Sequence, residues 1–172
     1  PKRSGGKRVQ HYVFETDLIF LKKNDLEEAN KKFIRDDIPE LSYFLTVIEK
    51  VTGLSRFSYV LKKDASLVTP LVLKHAEEIA KELNINLKSC GLENDSGGEF
   101  NMKELTKHFK YAKNIPMGPA CENKNAQFQS CFFKILRQRK STKIVDAMKQ
   151  SEKLLRNTYN RIHKLTSQEL VD

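Results

Sequence analysis

Several things are scarce in this 172-residue sequence: tryptophan is absent, and there are only seven glycines, five prolines and three cysteines. Cys90, Cys121 and Cys131 form an odd set with no close pair, which argues against a disulfide framework and suits the reducing nucleus or cytosol. No run reaches the roughly 18 uncharged apolar residues of a membrane span. The nearest, Val13 to Leu21, is short and interrupted by Glu15 and Asp17. Few breakers and ten phenylalanines point to a packed, helix-rich core.

Chemical signatures are missing as well. His11, His75, His108 and His163 are scattered along the chain, and a zinc set drawn from His108, Cys121 and Cys131 has the spacing of no compact zinc module. Neither Cys121 nor Cys131 has a local base to activate it. The stretch Glu93-Asn94-Asp95-Ser96-Gly97-Gly98-Glu99 matches neither an EF-hand nor a phosphate-binding loop and reads as a surface loop. From these absences the sequence assigns no catalytic residue, no metal and no cofactor, and the expectation is a protein that is not an enzyme.

What is present is segregated positive charge. The chain carries +9 overall, with 31 Lys and Arg against 22 Asp and Glu. Between Lys134 and Lys164 ten cations meet only Asp146 and Glu152. Lys2, Arg3, Lys7 and Arg8 lie in residues 1–8, which read as a flexible basic arm. Beginning at Pro1, the chain reads as a piece of a longer protein.

Periodicity then suggests helices. Ile144, Met148, Ser151, Leu155, Thr158, Ile162 and Leu165 recur at alternating spacings of four and three, and with Thr142 as N-cap they predict a helix of about 36 Å from Lys143 to Thr166. Residues 9–23 allow a helix. Asp25 with Glu28 has the spacing of a capping box, and Leu41, Phe44, Leu45, Ile48 and Val51 read as an apolar helix face closed by Gly53. A further turn or two is expected at 56–63. Helices follow from Thr69-Pro70 to Asn84, from Asn101, and from about Ala120 to Arg139 with Phe128, Phe132, Ile135 and Leu136 inward.

The expected architecture is all-α: residues 9–172 form a single domain of about seven helices ending in a long basic amphipathic helix. The expected function is a non-catalytic α-helical adaptor module of a larger nuclear or cytosolic protein. It would dock a protein partner and contact the backbone of DNA or RNA through Lys134, Arg137, Arg139, Lys140, Lys143, Lys149, Lys153, Arg156 and Lys164. No membrane or small-molecule cofactor is called for. The alternatives are a purely protein–protein interaction domain, an enzyme whose site is assembled from distant residues, and a helical cytokine or viral immune modulator, which the odd cysteine count disfavours.

Overall fold

The computed structural model describes residues 11–30, 38–94, 99–116, 119–138, 143–160 and 165–171. It corrects the all-α expectation, because its centre is a five-stranded sheet. In chain order the elements are β1 (Val13–Lys22), α1 (Lys23–Ala29), β2 (Leu41–Glu49), β3 (Ser55–Val60), α2 (Ala65–Leu83) and, after a 3-10 turn, β4 (Gly91–Asn94). Then come α3 (Met102–Thr106), β5 (Tyr111–Asn114), α4 (Pro119–Gln138), α5 (Ile144–Arg156), the two-residue strands β6 (Tyr159–Asn160) and β7 (Leu165–Thr166), and α6 (Ser167–Val171). The sheet order is β3-β2-β1-β4-β5; β1 is antiparallel to β2 and parallel to β4, and β4 is parallel to β5.

The segments expected as helices at 9–23, 41–53 and 56–63 are strands for a definite reason. Every residue from Ser42 to Glu49 is buried, so β2 is covered on both faces and its apolar residues run continuously. A continuous run of Tyr, Phe, Thr, Val and Ile fits a helical template by coincidence. Gly53 does adopt a positive φ of 71°, but it serves the turn from β2 to β3. There the buried Glu49 carboxylate accepts from the Val51 and Thr52 N–H groups at 2.8 and 2.7 Å. Asp25 does not open α1, whose N-cap is Lys22. The long final helix ends at Arg156, and the flexible arm at 1–8 and the Thr142 cap lie outside the described residues.

Alternation along the strands feeds two cores. Phe14, Leu18, Leu45 and Val47 pack against Val68, Val72, Ala76 and Ile79 of α2. On the other side Ile19, Phe44 and Phe57 meet Phe128, Phe132 and Leu136 of α4 and Ala147 and Met148 of α5. α2 starts earlier than Thr69, because Asp64 accepts from the Ser66 N–H, and it ends at Asn84 in the left-handed conformation. No described helix is long and apolar enough to cross a membrane.

A part-buried ion network ties the two layers at the β3 edge. Arg56 pairs with Glu78, Glu82 and Glu152; Arg156 pairs with Glu82; and Glu152 also accepts from the Phe57 N–H at 3.0 Å. Beside it, the buried His75 contacts Ser58 Oγ through Nε2, while its Nδ1 lies 3.6 Å from Glu78. Burial holds the imidazole below its ordinary value of 6.5, outweighing Glu78. A depressed folded value means that the unfolded chain takes up the proton first. Stability is therefore expected to fall as pH drops from about 6.5, and His75→Gln should flatten that part of a urea-melt series between pH 7 and 5.

Candidate functional site

The site forms where β1, β4 and the start of α4 converge. Glu15 and Asp17 stand on the same face of β1, the face that α4 covers, because side chains two residues apart share a side. Pro119 occupies the first position of α4, where its missing N–H costs no helical bond. The Cys121 N–H, one of the helix's unbonded amides, donates to Glu15 Oε2 at 2.8 Å. A strand carboxylate thus caps the helix and fixes its start against the sheet.

One turn further, Asn125 sets the geometry of Asp17. The Thr46 hydroxyl donates to Asn125 Oδ1 at 2.6 Å, which turns the amide so that Nδ2 donates to Asp17 Oδ2 at 3.1 Å. The Leu18 N–H donates to Asp17 Oδ1 at 2.8 Å. Glu15, Asp17 and Asn125 border a cleft of about 390 Å³, with Glu93 and Asn94 from β4, Ile115 after β5, and Glu122 and Gln129 from α4. The glycine-rich stretch read as a surface loop therefore starts inside this cleft; its Asp95 lies outside the described residues.

Two of the cleft carboxylates share one ammonium. Lys50, just after β2, reaches Glu15 Oε1 at 3.1 Å and Glu93 Oε2 at 3.3 Å, and so bridges β1 to β4. Its desolvation is outweighed by Glu15 and Glu93, and its pKa is raised above 10.5. The contribution of the Lys50 charge is therefore fully present at neutral pH and is lost as pH rises through that raised value. Lys50→Met would leave Glu15, which is 1% exposed, without a counter-charge. Since Lys50 itself is 34% exposed, the expected loss is about 1–2 kcal/mol in a urea melt; an unchanged midpoint would refute the bridge. Cys121 is held well above its usual range, first by burial and then by Glu15 and Asp17, so it stands here as a neutral thiol.

None of the described cationic residues singled out from the sequence lines this cleft. Lys134 and Arg137 are exposed near the end of α4, and Lys143, Lys149 and Lys153 are exposed at the start and along the outer side of α5. Arg156 is turned to Glu82 and Gln168. Arg139, Lys140 and Lys164 lie outside the described residues. Glu15, Asp17 and Asn125 escaped sequence reasoning, although two carboxylates at alternate positions of an otherwise apolar segment are the signal that finds them.

Neither protein-family models nor curated protein sequences match the chain. Solved structures do. The HTLV-2 integrase catalytic core domain in complex with magnesium superposes with a TM-score of 0.64 at 14% identity over 94% of this chain and 96% of that one. The catalytic core domain of BIV integrase gives a TM-score of 0.64 at 14% identity, over 92% of each chain. A simian T-cell lymphotropic virus intasome in complex with PP2A regulatory subunit B56 gamma gives 0.68 at 11%, over 94% of this chain and 54% of that one. The chain therefore has the fold of integrase catalytic cores. This overturns the expectation of a non-catalytic helical adaptor, which rested on the absence of contiguous motifs and on an all-α reading that the mixed sheet contradicts. The conclusion that the chain is not an enzyme falls with it.

Proposed function

We propose that this domain processes nucleic-acid strands, with Asp17 holding a divalent cation in the cleft and the surrounding polar groups positioning a phosphodiester. The observation that carries the reading is the paired Glu15 and Asp17 on the central strand of an integrase-type core, set against α4 and open to a cleft. Magnesium takes oxygen ligands, and it is usually held by one or two carboxylates with water and substrate phosphates completing the shell. The donors suit that chemistry: Asp17 with the amides of Asn94 and Gln129 are all hard oxygen groups. Among the described residues no three His, Cys, Asp or Glu side chains converge to hold a metal, so this portion of the cleft is not a closed protein cage.

The electrostatics support the same reading, because a phosphodiester meets the carboxylates of Glu15, Asp17, Glu93 and Glu122 along the cleft and needs a cation to approach. When bound, such an ion supplies charge neutralisation and Lewis acidity at a phosphoryl oxygen. The chain's own residues bind and orient: Asn125 aims Asp17, Glu15 anchors α4, and Lys50 bridges Glu15 and Glu93. Lys134, Arg137, Lys143, Lys149 and Lys153 would hold flanking duplex through its phosphates, an affinity that a salt series would expose. A nuclear or cytosolic setting suits the three free thiols. The reading is tested by magnesium- or manganese-dependent nicking and joining of labelled oligonucleotides, with Asp17→Asn as the cleft variant.

A further inference from the structure

Beyond the acidic cleft the same face of the sheet changes character. The strand register places Glu15, Glu93 and Lys113 in one row and Val13, Gly91 and Tyr111 in the next. α4 packs on β1 and β2, and α5 on β3. The main strand contacts of α4 and α5 thus lie on β1, β2 and β3, away from the β4–β5 end of the sheet.

Tyr111 occupies that end of the sheet in a specific way. Its ring crosses Gly91 so closely that a Cβ there would sit 2.2 Å from Tyr111 Cζ. Glycine is thus what lets the ring lie on the backbone of β4. The ammonium of Lys113 is 5.3 Å from the ring centroid, and Lys113 is exposed. An aromatic ring laid on a sheet with a lysine beside it is an arrangement that can hold an unpaired base and its phosphate.

We propose that Tyr111 and Lys113 form a landing site for single-stranded nucleic acid: one base stacks on the Tyr111 ring, and Lys113 moves from the ring to the adjoining phosphate. The inference rests on the reading that the cleft acts on nucleic-acid strands. Charge sets the path. Glu93 in the neighbouring row repels phosphate, so the backbone follows the lysine side at the β5 edge while the base lies inward over β4. A duplex has no unpaired base to offer the ring, and an acidic peptide would gain nothing from it.

The test is fluorescence-anisotropy titration of the full chain with a labelled thymidine oligonucleotide of about 15 nucleotides and with the matching duplex, in chelator across a salt series. Tyr111→Leu, which still covers Gly91, should weaken single-strand binding about tenfold and leave duplex binding unchanged, whereas Tyr111→Phe should stay within about twofold of wild type. Lys113→Gln should flatten the salt slope by about 0.7 on the logarithmic scale, the value of one phosphate contact on a single strand. If Tyr111→Leu binds the single strand as tightly as wild type with an unchanged circular dichroism spectrum, the landing site is refuted. Should that variant fail to fold, an unchanged salt slope in Lys113→Gln refutes it instead. A chain that binds neither oligonucleotide would overturn the nucleic-acid reading itself, a different failure from binding that ignores Tyr111.

Discussion

Replacing Asp17 by Asn is expected to reduce cation-dependent nicking or joining of an oligonucleotide by about 10² or more, with no change in the circular dichroism spectrum. The substitution keeps the size of the side chain and an acceptor for the Leu18 N–H, at the cost of the Oδ2 acceptor that Asn125 Nδ2 uses. It removes the negative charge that the cleft would use to hold a divalent ion. Asn125→Ala should cost less, about tenfold, since it frees the orientation of Asp17 without removing its carboxylate. Thr46 Oγ, which donates to Asn125 at 2.6 Å, loses that acceptor at the same time. An Asp17→Asn protein with wild-type turnover would remove Asp17 from the mechanism. Wild-type protein without turnover on any strand substrate in magnesium or manganese would remove the mechanism.

The largest loss of stability is expected in the aromatic core beneath that site. Phe128 stacks on Phe57 at 3.9 Å between centroids and meets Phe44 edge-on at 4.9 Å, and Phe132 meets Phe44 at 4.9 Å. Both Phe128 and Phe132 are fully buried. Phe128→Ala should therefore destabilise by about 3–5 kcal/mol, a transfer loss plus an unfilled cavity. In thermal melts the shift is on the order of 10 °C for a chain of this length. Because Phe128 lies three residues after Asn125 on α4, the same variant should also lower activity by loosening the helix that aims Asp17. A stability change below about 1 kcal/mol would mean that this cluster is not the core.

How much of this was readable in the sequence depends on which faces each element buries. α4 was, because one side of it is exposed: its inward set Phe128, Phe132, Ile135 and Leu136 follows from spacing alone. Asn84 as the end of α2 and Asn101 as the N-cap of α3 were also legible, since caps are local chemistry. β2 was not, because burial on both faces erases alternation and leaves a run that a helical template accepts. Glu15 and Asp17 were noticed only as charges interrupting an apolar stretch. Their meaning depends on Cys121 and Asn125, more than a hundred residues away, and no local pattern carries a partnership of that length. Arg156 shows the converse: counted as a surface cation, it is bound to Glu82 and Gln168 in the ion network.

The most direct test is to soak crystals of the wild-type chain and of Asp17→Asn in manganese and compare anomalous difference maps. The expected result is a peak in the wild-type cleft at about 2.1 Å from an Asp17 carboxylate oxygen, absent from the variant. No peak in the cleft, or one of equal height in both crystals, would contradict a cation site on Asp17.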